Sequence, residues 1–261
     1  MDIVIPSYLR PRAQFTYQRL KRAGVKSTVV VRQGDYPEYR MYIPEEDLHA
    51  IQAEVSNIGE TRDYIVNEMP GGTLVLMLDD DLDFAARRSD DPTKFRDCTD
   101  DDIECMVRSL DDLLEKFPHV SIAAREGANR NTDHFMVNTR MMRVLGYNRA
   151  YLRKHDLKFT PTNFMCDFHM TLQILKLGNE CCVQNGYVSN QRGGSNATGG
   201  CSTTRTEAAQ SSEAVLLARL HAPFVKVVQK PSWSGVGTRD DVVVQWKQAY
   251  QWGVQNARKS A

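Results

Sequence analysis

The sequence predicts a single α/β domain, a mostly parallel central sheet flanked by helices. Three observations lead there. Roughly the first thirty residues read strand, helix, strand. The most apolar run of the chain, Leu74-Val75-Leu76-Met77-Leu78, ends abruptly in Asp79-Asp80-Asp81. Apolar runs of strand length then alternate with helical periodicity through the rest of the 261 residues, with no internal repeat and no clean linker. Residues 1–261 are expected to form one domain with two halves, 1–104 and 105–261.

Ile3-Val4-Ile5 is short and apolar and stops at Pro6-Ser7-Tyr8. Pro11 stands where a helix begins; Phe15, Leu20 and Ala23 give it a partial apolar face, and Gly24 stops it. Thr28-Val29-Val30-Val31 has the β-branched composition of a buried parallel strand. A right-handed crossover then puts both strands in one sheet. Helices are expected from Glu45 to about Val55 and from about Glu60 to Met69, with Gly71-Gly72 a break before the apolar run.

Thr99 with Asp102 reads as a capping box opening a helix that runs to Lys116 and ends at Phe117-Pro118. Val120 to Ala124 and Phe135-Met136-Val137 read as strands, Phe168 to Leu177 as a helix, and Glu180 to Val188 as a mixed strand. Residues 191–204 are rich in Gly, Ser and Thr and read as a functional loop or lid. A helix from Glu207 to His221, a strand from Phe224 to Val228 and a helix from Asp240 to about Gln255 complete the chain.

Composition excludes several classes. No stretch approaches the roughly 20 apolar residues that cross a bilayer, so no membrane partner is expected. MDIVIPSY has an acid at position 2 and a proline at position 6, unlike a signal peptide. The expected location is cytoplasmic. The cysteines are Cys98, Cys105, Cys166, Cys181, Cys182 and Cys201; none forms C-x-x-C, which argues against a zinc knuckle and a disulfide framework. Asn196-Ala197-Thr198 matches a glycosylation acceptor only formally. With 33 basic and 33 acidic residues the net charge is zero, yet residues 79–104 carry 11 acids against 4 bases and residues 105–261 carry 20 bases against 12 acids. An acidic block attracts cations and a basic remainder can face a polyanion, although solvated faces also explain both.

In parallel α/β sheets, ligands bind beyond the carboxyl ends of the strands. Three such ends carry unusual residues: Pro6-Ser7-Tyr8, Arg32-Gln33-Gly34 and Asp79-Asp80-Asp81. If these strands are neighbours, a hydroxyl, an aromatic ring, an amide and three carboxylates share one crevice, a set that suits a nucleotide. Consecutive carboxylates repel unless a cation compensates, and oxygen-only ligands favour Mg²⁺, Mn²⁺ or Ca²⁺. Neither a Walker A sequence, nor a dinucleotide fingerprint, nor a G-x-S-x-G elbow is present. What remains is metal-dependent transfer from a phosphorylated donor.

VIPSYLRP, G-E-T-R-D at 59–63 and LVLMLDDDLDF resemble a GT-A nucleotide-sugar glycosyltransferase, and CDFHMTLQILKLG resembles the segment carrying the catalytic acid of inverting members. With the later glycine-rich loop, the combination is similar to the bacteriophage TET-associated glycosyltransferases. That resemblance implies a GT-A fold with residues 1–104 as nucleotide-sugar half and 105–261 as acceptor half. Also implied are a UDP-sugar donor, Mn²⁺ or Mg²⁺, 5-hydroxymethylcytosine in DNA as acceptor, and the bacterial host's cytoplasm as location if the chain is phage-encoded. It implies Asp81 as direct metal ligand, with Asp79 or Asp80 serving ribose and metal-bound water. Pro6, Ser7, Tyr8 and Gln33 would line the uridine site, and Arg62 would contact the base or diphosphate. Asp167 would be the general base, and His221 a further metal ligand. Arg205 and Lys226 would steady the leaving diphosphate. Cys166 departs from the common inverting pattern, which often has an acid there.

Other readings stand beside these. Asp167 is also where an N-cap would fall, His221 where a histidine packs or caps a helix C-terminus, and Arg62 pairs within its helix with Glu60 or Asp63. Tyr8 could pack on the helix that follows it. Arg149, Arg153, Lys154 and Lys158 form the densest basic cluster of residues 105–261, compatible with a DNA face, although a helix surface with a few basic residues is common. Alternative functions are a GT-A transferase for a glycan or small molecule, a catalytically inactive nucleotide- or DNA-binding module, and a nucleotidyltransferase.

Overall fold

The computed structural model describes residues 1–192 and 199–260, with the side chain of residue 260 left out. Residues 193–198, which include Asn196-Ala197-Thr198 and six of the fourteen residues of the expected lid, lie outside the described residues.

Strand β1 (Asp2–Pro6) is followed by α1 (Phe15–Arg22), β2 (Thr28–Arg32), the short α2 (Tyr36–Tyr39), β3 (Leu48–Ile51), α3 (Ile58–Asn67) and β4 (Leu74–Leu78). Then come β5 (Leu82–Arg87), β6 (Phe95–Asp97), α4 (Asp100–Leu114), β7 (His119–Ala124), β8 (Phe135–Val137), β9 (Val144–Asn148) and α5 (Arg149–Lys154). The chain finishes with α6 (Cys166–Lys176), β10 (Cys182–Gln191), α7 (Glu207–Leu220), β11 (Val225–Pro231), β12 (Thr238–Val244) and α8 (Trp246–Ser260).

Among the described residues, ten strands form one sheet in the order β3-β2-β1-β4-β9-β7-β10-β5-β6, with β8 also on β10. The β1–β2, β2–β3, β1–β4 and β7–β10 pairs are parallel. Strand β9 is antiparallel to both β4 and β7, so β7 and β10 run the same way as β1, β2 and β4. Their carboxyl ends therefore share one edge of the sheet. That edge is where the cleft lies.

The apolar strands bury both faces, which is why they read as continuous hydrophobic runs. Val4, Val30, Val75 and Met77 face a core shared with Tyr64 and Ile65 of α3, Leu152 of α5, Leu172 of α6, Leu217 of α7 and Ala249 of α8. Ile3, Ile5, Val29, Val31, Leu76 and Leu78 face the other core, with Leu20 of α1, Tyr39 of α2 and Ile103, Met106 and Leu110 of α4. The class is α/β, a central sheet between two helical layers. The Thr99–Asp102 capping box forms as expected.

Two expected helices are corrected. Residues 45–47 make a single 3-10 turn, and Leu48–Ile51 continue as β3 against β2. Tertiary pairing overrides the local propensity of the acidic stretch, because β3 supplies the hydrogen bonds that the outer edge of β2 would otherwise lack. Asp240–Val244 belong to β12, a β-branched strand paired with β11, and the helix begins only at Trp246. Strands β5, β6 and β9 were not anticipated. All three are short and half of their residues are polar or glycine.

The basic cluster is also corrected as a DNA face. Because β9 is antiparallel to β4, α5 starts at the amino-terminal edge of β1 and β4, opposite the cleft. Arg149 is fully buried there, donating to Asp2 Oδ2 at 2.8 Å and to the Gly72 carbonyl at 3.0 Å. Arg153 donates to the Val66 carbonyl, and Lys158 pairs with Asp156.

Candidate active site

The carboxyl ends of β1, β2, β3, β4 and β7 open on one cavity of about 730 Å³. Pro6, Ser7, Tyr8, Arg62, Asp79, Asp80, Asp81, Asp167 and Arg205 all line it, so most of the expected site residues are brought together.

The Asp79–Asp81 turn is held from below by one threonine. Thr16, at the start of α1, donates its hydroxyl to the Asp79 carbonyl at 2.6 Å and accepts the Leu82 N–H at 2.9 Å. Three carboxylates are thereby fixed side by side with different surroundings. Asp80 is 4% exposed and accepts from Ser7 Oγ at 2.5 Å and Arg10 Nη1 at 2.8 Å. Burial pushes its pKa up, against the pull of Arg10. Asp81 accepts from Arg10 Nη1 at 2.8 Å and Gln191 Nε2 at 3.0 Å through Oδ2, while its buried Oδ1 has no partner among the described residues. Asp79 opens on the cleft with its side chain 32% exposed, and Arg62 Nη2 lies 3.5 Å away. Enclosure, opposed by Arg62 but reinforced by Asp81, Asp80 and Asp167, raises its pKa to about 7.

Arg10 holds this cluster together and was not singled out from the sequence. It follows Tyr8 by two residues, within VIPSYLRP, so the signal was there: a cation at the same strand end. Its guanidinium spans Asp80 and Asp81 and also donates to the Gly199 carbonyl at 3.1 Å. Ser7 has a supporting role, since its hydroxyl is engaged by Asp80, by Tyr39 at 2.7 Å and by Gln14 at 2.7 Å. Tyr8 lies under the Arg32 guanidinium at 3.8 Å, a cation–π stack at the cleft wall.

Arg62 projects from α3 and is 7% exposed; Nη1 donates to Cys166 Sγ at 3.0 Å. It bonds neither Glu60 nor Asp63: Glu60 closes on Ser56 and Asn57, and Asp63 accepts from the Phe159 and Thr160 backbone. Asp167 stands in the first turn of α6, where the N-cap is Met165, so the carboxyl is not the cap. Burial raises its pKa, against the pull of Arg62 and Arg140. The loop before it is fixed by Glu213 of α7, which accepts the Asn163 N–H at 2.6 Å and the Met165 N–H at 3.1 Å. Glu213 was unreadable in advance, because 46 positions separate it from Asp167. Arg205 donates to Gln210 Oε1 at 3.0 Å and lies over the Trp233 ring at 5.1 Å.

Three expected residues are not part of the cavity lining. Gln33 faces a shallow neighbouring depression with Ala53 and Val55, its Oε1 3.4 Å from Gln52 Nε2. Lys226 is exposed on β11, and Lys230 further along that strand lines the cavity instead. His221 lies 11 residues beyond the cavity-lining Gln210, about 16 Å farther along α7 at 1.5 Å per residue. It is 1% exposed and its Nε2 is 2.6 Å from His169 Nδ1. Burial lowers both imidazoles, to about 3 for His221 and about 4 for His169.

Among the described residues, no three His, Cys, Asp or Glu side chains form a ready metal cage. The cluster nonetheless has the donor chemistry for a divalent cation shared with a nucleotide. Asp81 Oδ1 is a buried carboxylate oxygen without a partner among the described residues, and Asp79 is a cleft-facing carboxyl whose pKa is lifted to about 7 by burial, with its acidic neighbours adding to the rise. Mg²⁺ and its analogues commonly take only one or two protein carboxylates, the remainder coming from phosphate and water.

The family model described as TET-Associated Glycosyltransferase matches residues 1–200. No curated protein matches the sequence. Among solved structures, CMP:2-keto-3-deoxy-manno-octonic acid synthetase complexed with CTP is 13% identical, with 70% of this chain and 88% of that chain covered and a TM-score of 0.43. The galactosyltransferase LgtC with donor and acceptor sugar analogs is 14% identical, covering 60% of this chain and 61% of that one at a TM-score of 0.38. 4-Diphosphocytidyl-2C-methyl-D-erythritol synthase from Anaerococcus prevotii is 12% identical, with coverages of 59% and 71% and a TM-score of 0.34.

Proposed function

The chain belongs to the TET-associated glycosyltransferase family, and from that premise we propose that it moves a sugar from a UDP-sugar to the hydroxymethyl group of 5-hydroxymethylcytosine in DNA. The observation that carries this reading is one cavity holding both an under-compensated carboxylate cluster and, separately, the first-turn carboxylate Asp167.

The uridine ring would stack beside Tyr8 and Arg32, and Asp79 and Asp81 would hold Mn²⁺ or Mg²⁺ beside the diphosphate. The cation, when bound, supplies charge stabilisation to the departing diphosphate. Arg62 and Arg205 point positive charge at the same region. A primary hydroxyl is a weak nucleophile, and Asp167 takes its proton as the oxygen attacks the sugar C1. The new C1–O bond forms while the C1–O bond to the β-phosphate breaks, and the electron pair leaves with UDP. A single displacement of this kind inverts the anomeric centre. Burial holds Asp167 above the ordinary aspartate range, which makes its carboxylate a stronger base near neutral pH.

Incubation with Mn²⁺, a panel of UDP-sugars and 5-hydroxymethylcytosine DNA, read by nucleoside mass spectrometry, tests this. The expected product is the modified nucleoside plus one sugar. UDP release with unmodified DNA would overturn the DNA acceptor and favour a glycan or small molecule. The position of the Arg149 cluster on the far edge of the sheet is the observation that favours that second reading. It also predicts activity insensitive to salt, whereas phosphate-backbone contacts make DNA binding fall steeply with salt.

A further inference from the structure

The far end of the cleft, away from Tyr8 and Arg32, is formed by β7 and β10. Strand β10 pairs with β7 up to Gln184 and resumes at Val188, so residues 185–187 bulge out of register. Bulges beside active sites re-aim side chains. Val183 and Asn185 line the cavity, while Gln184 between them turns to the opposite face and accepts from Ser109 of α4.

Asn185 is 1% exposed and held at three points. Its N–H donates to the His134 carbonyl at 2.9 Å, its carbonyl accepts from Arg87 Nε at 2.9 Å, and its Nδ2 donates to the Asp133 carbonyl at 2.9 Å. The last bond fixes which way the amide faces, since only the NH₂ can donate to a carbonyl. Among the described residues, no donor reaches its buried Oδ1. From β7, the loop after it and β8, the cavity is lined by the small or apolar Ala123, Ala124, Gly127, Ala128 and Met136, with Glu126 and Arg140 also on the lining. A slot with small side chains and one unpaired acceptor matches a flat ring that carries an N–H donor on its edge.

We propose that this slot holds the acceptor base and that Asn185 Oδ1 accepts a hydrogen bond from its exocyclic amino group. The inference rests on the acceptor reading above and adds the group that selects the base. Strand β10 is three strands from β4, whose end carries Asp79, or roughly 14 Å at about 4.8 Å per strand. That separation leaves room for a hexose between diphosphate and base. Cytosine presents a 4-amino donor where uracil presents a carbonyl oxygen. A 4-carbonyl would set two acceptors against each other in a buried slot.

5-Hydroxymethyluracil carries the same hydroxymethyl nucleophile, so comparing the two bases isolates the edge. kcat/KM is measured on matched oligonucleotides for the wild type, Asn185→Ala and Asn185→Asp. The wild type is expected to favour 5-hydroxymethylcytosine by at least about a hundredfold, and Asn185→Ala to cut that ratio at least about tenfold, mostly by loss on the cytosine. Asn185→Asp, which keeps an acceptor oxygen and loses the bond to Asp133, is expected to keep the preference. Equal wild-type rates on both bases, or an Asn185→Ala ratio unchanged while both rates fall, would overturn the role of Asn185. A wild type that modifies neither base would instead overturn the acceptor reading, and this inference with it.

Discussion

At the donor end of the cleft, charged groups face one another: Arg10 spans Asp80 and Asp81, and Arg62 sits beside Asp79 and Cys166. At the proposed acceptor end, Ala123, Ala124 and Gly127 share the lining with Asn185, whose amide oxygen has no donor among the described residues. The first arrangement is a set of charges that a diphosphate and a cation would rearrange. The second is a fixed shape with a single polar demand. Binding a nucleotide diphosphate needs charge whatever sugar it carries, whereas choosing a flat acceptor needs shape and one correctly typed hydrogen bond. Between them stands Asp167, at the start of a helix whose entry loop is tied to α7 by Glu213.

The sharpest way to break this contrast is at Asp81. Asp81→Ala should lower transfer by at least about a thousandfold, the order seen when stabilisation of a developing negative charge is lost. Its thermal unfolding should stay close to wild type, because removing the carboxylate also relieves like-charge crowding. Wild-type turnover in that variant would remove Asp81 from the site.

Next in size is Asp167→Asn, which should reduce kcat by about 10²–10⁴ while donor KM changes little. The pH profile sharpens the assignment. Burial raises the Asp167 pKa, and the base acts only when ionised, so activity should rise with pH along an acid limb displaced above the ordinary aspartate range. A kcat flat down to pH 4, or an Asp167→Asn variant at full speed, would reduce Asp167 to a helix residue.

A smaller effect is expected at Glu213, which positions rather than reacts. Glu213→Ala leaves the Asn163 and Met165 N–H groups without their acceptor and should cost about 2 kcal/mol of stability. A fall in kcat of about tenfold, the scale at which slight misplacement begins to cost rate, should accompany it with donor affinity unchanged. Glu213→Gln, which keeps one acceptor oxygen, should recover part of both.

The weakest effect per group concerns pH and stability. His119 is fully buried with its pKa lowered to about 4, and the His169–His221 pair lies at about 4 and about 3. These folded values lie below the unfolded one near 6.5, so the unfolded chain binds protons first as pH falls. The histidine share of stability is therefore full above about pH 6.5 and declines toward pH 4, by about 2 kcal/mol per histidine at pH 5. The raised carboxyls Asp79, Asp80 and Asp167 act with the opposite sign. Chemical denaturation of the wild type and His221→Asn at pH 7.5 and pH 5 isolates the histidine share, and the variant should lose less stability, or gain more, on acidification. A difference between the two proteins that does not change with pH would contradict the buried neutral imidazoles.

The same contrast explains what could be read from the sequence. The donor end was readable because its groups are contiguous at strand ends: Pro6-Ser7-Tyr8 after one apolar run and Asp79-Asp80-Asp81 after another. Parallel strands buried on both faces announce themselves, and their carboxyl ends say where ligands go. The proposed acceptor end joins residues 123, 124, 126–128, 136, 163–168, 183 and 185, which only tertiary folding brings together. A bulge in β10 and the unanticipated β9 leave no periodic signal. Ser7 and His221 had suitable chemistry for the site, yet Ser7 is consumed by Asp80, Tyr39 and Gln14, and His221 sits at the wrong end of its helix. Likewise the basic run near Arg149 looked like a surface until the antiparallel β9 carried it to the edge opposite the cleft.

Titration calorimetry of UDP with and without Mn²⁺, on the wild type and on Asp81→Ala, tests the charge-built donor end most directly. The account predicts that Mn²⁺ tightens wild-type binding at least about tenfold and leaves the variant unmoved, as expected if the cation bridges Asp81 and the diphosphate. Equal UDP affinity with and without Mn²⁺ in the wild type, or an undiminished Mn²⁺ effect in the variant, would contradict it.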